Sequence, residues 1–202
     1  MNATPEFDRD AVIDHALTMF LSRGFQHTTL DDIADAVGIS AESLRLAFAT
    51  TASMVIDVVD AMLASVVIHL AEGEQDEDLV DALSRAHKAM LDGVIAGNRT
   101  VPLHRMQQVG LLAMASRPLA AIVTARRKET LTLALADHYG MKPDDPLIVR
   151  TMVVWSAVIA GTYAAGVGDH ADVEPDRDLH DTKRMTRRLN HAFEHITGRR
   201  DT

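Results

Sequence analysis

The sequence predicts an all-α protein. A small N-terminal three-helix domain (residues 1–52) is followed by a connecting helix (52–71) and a larger helical domain (72–202), about nine helices in all. Three observations predict it. Apolar residues recur at steps of three and four along the whole chain, the repeat of a helix with one buried face. No convincing stretch alternates apolar and polar residues as a half-buried strand would. Alanine, leucine, valine and methionine dominate a chain of 202 residues, long enough to bury a sizeable core.

The elements follow in order. The first helix is expected from about Asp8 to Arg23, with Val12, Ile13, Ala16, Leu17 and Phe20 on its apolar face. Gly24 suits the position just past its end, and Phe25 can fold back onto that face. Thr28 or Thr29 caps a second helix whose first turn carries Asp31 and Asp32, where the helix dipole favours carboxylates. Ser40 caps a third helix from Ala41 to about Ala47, and Phe48 closes the small core. A fourth helix runs from about Ala52 to Ala71, and the acidic break Glu72 to Asp78 after it reads as solvated. Further helices are expected over about Leu79 to Ala96, Pro102 to Ala115 and Pro118 to Tyr139. Asp144-Asp145-Pro146 then gives a cap followed by proline in the first turn. The helix it opens reaches about Gly166. A loop (168–174) and a last helix from Pro175-Asp176 to about Thr197 complete the chain.

Residues 28–44, TTLDDIADAVGISAESL, read as a helix-turn-helix. Ala34 is small enough for two helices to touch. Gly38 can adopt the positive φ of the tight turn without a Cβ penalty. Leu44 returns an apolar side chain to the shared core. Such a unit places its second helix in the major groove of DNA.

Charge runs against that expectation. The chain carries a formal net charge of −9, and residues 1–60 hold Arg9, Arg23 and Arg45 against ten carboxylates. A DNA-binding domain is expected to be the basic part of its chain. There is no cysteine, which excludes disulfides and thiolate chemistry. The N-terminal residues show neither the basic region nor the apolar run of a secretory signal, so a cytoplasmic location is expected. The apolar stretch Met152 to Val167 is broken by Ser156, Gly161, Thr162 and Gly166 and reads as a buried helix, not a membrane span.

With Ala16, Phe20, Gly24, Phe25, Thr28, Thr29, Ile33, Ala34, Val37, Gly38, Ile39, Ser40, Leu44 and Phe48, the first 50 residues resemble the tetracycline-repressor (TetR) family of transcriptional regulators. The remainder matches in length and helix count. The resemblance implies a homodimeric, ligand-responsive regulator, most often a repressor, that binds a roughly palindromic operator through helices two and three. It implies a C-terminal domain holding a small-molecule pocket and the dimer interface, with an unidentified effector and no other cofactor. It places the DNA contacts on Thr28, Thr29, Ser40, Ala41, Glu42, Ser43, Arg45 and Thr51.

The sequence also departs from the family pattern. Where the family has tyrosine after the apolar residue of helix three, this chain has Arg45, which can bind phosphate or read guanine. Where the family has lysine at the start of helix four, it has Thr51. Before Ala16, where basic residues are common, Asp8, Asp10 and Asp14 stand. Few cations mean few neutralised phosphates and a shallow salt dependence. A second reading follows: a protein of this fold with weakened autonomous DNA binding that acts through a protein partner or as a ligand-binding module.

In the larger domain, His87, Met90, His104, Met106, Gln107, Met114, Trp155 and Tyr163 are candidates to line a pocket. Methionine adapts to irregular ligands, and buried Trp or Tyr offers a flat wall with a polar handle. Ala157, Ala160, Gly161, Ala164 and Ala165, with Met185, Leu189, Ala192, Phe193 and Ile196 of the last helix, suggest a four-helix homodimer interface through the last two helices. His191, Glu194 and His195 spell a zinc-peptidase-like spacing, but none of the seven residues after His195 is His, Glu or Cys, and no metal site is expected. No phosphate-binding glycine loop or nucleophile elbow occurs, so catalysis is not expected.

Overall fold

The computed structural model describes residues 7–95, 101–168 and 182–199. Among them every regular element is a helix. These are α1 (Arg9–Arg23), α2 (Leu30–Val37), α3 (Ala41–Ala47), α4 (Thr51–Ala71), α5 (Leu79–Ile95), α6 (Leu103–Ala115), α7 (Arg117–His138), α8 (Pro146–Gly168) and α9 (Thr182–Thr197). A single 3₁₀ turn, Phe25–His27, joins α1 to α2. The expected opening of the last helix at Pro175-Asp176 lies outside the described residues.

The chain divides into two compact units: Met1–Asp60 with His104–Val123, and Ala61–Leu103 with Thr124–Thr202. The first unit therefore adds α6 and the start of α7 to the N-terminal helices.

Local chemistry explains the first unit. Asp8 caps α1, its carboxylate accepting from the N–H groups of Asp10 and Ala11. Gly24 ends that helix at φ 92°, and the Phe25 ring packs edge-on against Phe20 with centroids 5.1 Å apart. Thr29 and Asp32 form a reciprocal capping box on α2. Gly38 sits at φ 72°, ψ 32°, the left-handed geometry of the turn between α2 and α3. Ala16, Leu17, Ile33, Ala34, Leu44 and Phe48 are wholly buried. By length and composition, Ala41–Ala71 holds a helix that is apolar enough to cross a membrane. In the structure Met54, Val55, Val58, Leu63, Val66 and Leu70 bury one face of α4 within the chain.

In the second unit α8 packs most extensively on α9 and also on α5. Trp155 is wholly buried, its ring 4.7 Å from that of His87. Asp145 accepts from the Leu147 N–H at 2.8 Å and so opens α8, as the Asp-Pro pair predicts. A Cβ on Gly161 would lie 3.3 Å from Cβ of Ala192, so this glycine lets α8 and α9 of one protomer approach.

The acidic break 72–78 is mostly exposed, as expected, and two of its carboxylates are also paired with arginines. Arg85 grips Glu77 with Nε and Nη2 and donates to the His69 carbonyl at 2.8 Å, Tyr139 donates to the Glu77 carbonyl, and Arg199 pairs with Asp78 at 2.7 Å. One expectation is corrected: Leu189, Ala192 and Phe193 do not form an open face on the last helix. They are buried within the protomer, and of the apolar residues named there Ile196 is the exposed one.

Candidate nucleic-acid interface

The candidate site is the outer face of α2 and α3. Ser40 caps α3, its hydroxyl accepting from the Ser43 N–H at 3.0 Å and donating to Oγ of Ser43 at 2.7 Å. With Leu44 turned inward, Glu42, Arg45 and Leu46 are left exposed, and they share a face at i, i+3, i+4 spacing. Ala41 and Ser43 are half-buried beside them. Thr29 is exposed, but its hydroxyl donates to Asp32 at 2.6 Å. That bond, with the Thr29 N–H, holds the Asp32 carboxyl below its usual range. Thr51 opens α4 and is half-buried. Just before it, Thr50 and Ser53 exchange hydrogen bonds as a further reciprocal cap.

Thr28 is the exception among the candidate contacts. It is 3% exposed, and its hydroxyl donates to the Gly24 carbonyl at 3.1 Å, closing the loop after α1. Its side chain is thereby withdrawn from the surface.

The cations of this region are also engaged. Arg9 pairs with Asp57, donates to the Ala47 carbonyl at 2.9 Å, and lies 3.9 Å over the Phe48 ring. It ties the start of α1 to the end of α3 and to α4, a structural cation–π arrangement. Arg45 pairs with Asp31 of α2.

The acidic residues of α1 have an explanation that sequence reading missed. Arg105 of α6, its side chain 11% exposed, donates to Asp14 through Nε at 2.6 Å and Nη2 at 2.9 Å. It also donates to the Asp10 carboxylate at 2.8 Å and the Asp10 carbonyl at 3.0 Å. His104 meets the same Asp14 oxygen at 2.9 Å. The Arg105 guanidinium lowers the Asp14 carboxyl below its usual range despite partial burial, and the two carboxylates raise Arg105 in turn. The only local hint was the i, i+4 spacing of Asp10 and Asp14. Leu46, by contrast, could have been found: it lies off the Leu44–Phe48 face, and it is 85% exposed.

The candidate pocket residues fall in different units. His87, Met90 and Trp155 lie in the second. Burial pushes His87 down to about 3, so its ring is neutral, with Nδ1 on the Leu83 carbonyl at 2.9 Å. The buried Trp155 N–H has no partner among the described residues. His104, Met106, Gln107 and Met114 lie on α6 in the first unit, where Met106 and Gln107 are buried, Met114 is exposed, and His104 is held by Asp14. The Tyr163 side chain lies outside the described residues. Within the second unit, Met62, Ser65, His69, Met90, Gly93, Val94 and Val101 line a small hollow of about 20 Å³ that is partly open to solvent. His191 and His195 stack at 6.2 Å, and among the described residues no three His, Asp or Glu side chains converge on a metal position.

Residues 12–58 match the family model described as bacterial regulatory proteins, tetR family. They span α1 to α3 and the first turns of α4, so these helices match the N-terminal domain of that family, and the chain resembles its regulators. The HTH-type transcriptional regulator TcmR of Streptomyces glaucescens is 30% identical over 89 residues, 44% of this chain and 39% of TcmR. The match thus spans about two fifths of that relative's length. Two solved structures are similar at low identity. The TetR-family regulator PfmR of Thermus thermophilus shares 17% identity over 91% of this chain and 97% of its own, with a TM-score of 0.42. AmtR of Mycobacterium smegmatis shares 16% over the full length of both chains, with a TM-score of 0.40.

Proposed function

We propose that this chain is a homodimeric, ligand-responsive transcriptional regulator, a repressor, whose α3 enters the major groove of a roughly palindromic operator. The observation that carries the reading is the tetR-family match at residues 12–58 together with the exposed edge Glu42, Arg45 and Leu46 on the third helix. Each side chain suits a base edge: Arg45 a guanine, Glu42 a cytosine amino group, and Leu46 a thymine methyl group. Ser40, Ser43, Thr29 and Thr51 flank that edge with hydroxyls that can donate to phosphates.

The dimer is assigned to the outer side of α8 and to Ile196 of α9, whose other named apolar residues Leu189, Ala192 and Phe193 are buried in their own protomer. Val149 and Val153 are exposed on α8, 46% and 65% respectively, and Ala157 and Ala160 continue the strip at i, i+4, i+8 and i+11. An apolar strip of this kind suits a second copy related by two-fold symmetry. The effector is assigned to the cavity between α4 and α5. Its methionine and valine walls, with Ser65 and His69 as the polar groups, suit a small and largely apolar molecule once the flexible methionine side chains move aside to widen it.

Pairing of both Arg9 and Arg45 with carboxylates favours a second reading, a module with weakened DNA binding that works through a partner protein. One experiment separates the two. The full chain is used to select from a random duplex library at about physiological salt. Enrichment of a palindrome with half-sites about one helical turn apart, lost in Arg45→Ala, supports the regulator. Absence of any enriched sequence at low salt overturns it in favour of the module. A monomer by light scattering at micromolar concentration overturns the dimer assignment.

A further inference from the structure

The Arg45–Asp31 pair joins the two helices of the candidate DNA face, fourteen residues apart in sequence. Both side chains are more than half exposed, 54% and 58%. Water screens such a pair, so it adds little to stability. Its main effect is on where Arg45 points. Asp31 takes one corner of the guanidinium, Nη2, and among the described residues Arg45 has no other polar partner. Beside it stand Glu42, one turn earlier, and Leu46.

An arginine free to swing serves any phosphate within reach, and this gives affinity without sequence information. An arginine held at one corner has a direction. Reading guanine needs two N–H groups presented in one plane, which a tether on the remaining corner favours. The same carboxylate offsets the positive charge that a phosphate would attract. We propose that Asp31 is a positioning residue that sets base specificity: it orients Arg45 toward a guanine edge and withholds it from the phosphate backbone. Asp31 thus trades affinity for discrimination. This inference rests on the reading of α3 as the groove-entering helix.

The test compares Asp31→Asn with the unaltered full chain. The probes are the duplex enriched by the unaltered chain and a scrambled duplex of equal length, each titrated over a salt series. Asp31→Asn is expected to bind the scrambled duplex about three- to tenfold tighter, with a salt slope steeper by about 0.9, one further phosphate. The ratio between enriched and scrambled duplex is expected to fall by a similar factor, and Asp31→Glu to retain most of it. Because a carboxylate in the first turn of α2 also acts on the helix dipole, Asp31→Asn is repeated in an Arg45→Ala background. There it is expected to change neither ratio nor slope, since the effect runs through Arg45. An unchanged ratio and slope in the single variant, or an equal change in the Arg45→Ala background, overturns the proposal while leaving the regulator reading intact. Failure of the unaltered chain to enrich any sequence overturns both.

Discussion

Two arginine–carboxylate contacts in the same compact unit do different work because they differ in burial. At the root of the unit, Arg105 is almost enclosed and holds both Asp10 and Asp14, joining α6 to α1. At the tip, Arg45 is half exposed and meets the single carboxylate of Asp31. The first contact replaces water on a charged group and must be complete, or an uncompensated charge remains inside. The second competes with water continually, and so it can yield to another anion. Burial separates an ion pair that holds the fold from one that is available to a partner.

The largest expected effect is at the root. Arg105→Ala leaves two neighbouring carboxylates without their shared cation and removes several charge-assisted hydrogen bonds. A loss of about 2–3 kcal/mol is expected, read from urea denaturation of the variant against the unaltered chain. Arg105→Lys should restore only part, because an ammonium cannot address Asp10 and Asp14 with the same fork. A loss no larger than that of a surface pair would mean that the root contact is no more structural than the tip.

The root should also respond to acid. Asp14 has a lowered carboxyl in the folded chain, chiefly through Arg105, so the unfolded chain binds its proton first. The stabilisation is fully present above about pH 4 and is lost as pH falls through the lowered folded value. The effect is smaller than that of Arg105→Ala because Asp14 is partly exposed. Denaturation midpoints measured at falling pH should lose this component in Asp14→Asn and keep it in Asp31→Asn.

The same contrast shows what the sequence could reveal. Elements fixed by neighbours were legible: Thr29 with Asp32, Ser40 with Ser43, Gly38 in its left-handed turn, and the Leu44–Phe48 face each depend on residues within a few positions. The three-helix frame therefore followed from the sequence, and so did the exposure of Glu42 and Arg45. Contacts that depend on distant chain were not legible. Asp10 and Asp14 looked like a liability for DNA binding, and only their meeting with Arg105, more than ninety residues away, explains them. Thr28 looked equivalent to Thr29, but the 3₁₀ turn after Gly24 rotates its hydroxyl inward. The apolar residues of α9 could have faced a second copy or their own chain, and sequence spacing does not distinguish these. Packing on α8 decided it.

The smallest effect on stability is expected at Leu46, and there the comparison becomes sharpest. Its side chain is 85% exposed, so Leu46→Ala removes almost no buried surface and should shift stability by less than about 0.5 kcal/mol. If α3 enters the groove, the same side chain meets a thymine methyl group, and loss of one such apolar contact costs about 0.8 kcal/mol, roughly fourfold in affinity. Replacing individual thymines of the enriched duplex with uracil removes the methyl from the DNA side instead. One such replacement should weaken the unaltered chain about fourfold and leave Leu46→Ala unaffected, because each change removes the same contact. Equal weakening of both proteins at every position would show that Leu46 stays in water when DNA is bound. The exposed apolar edge of α3 would then need a different partner from the one Arg45 serves.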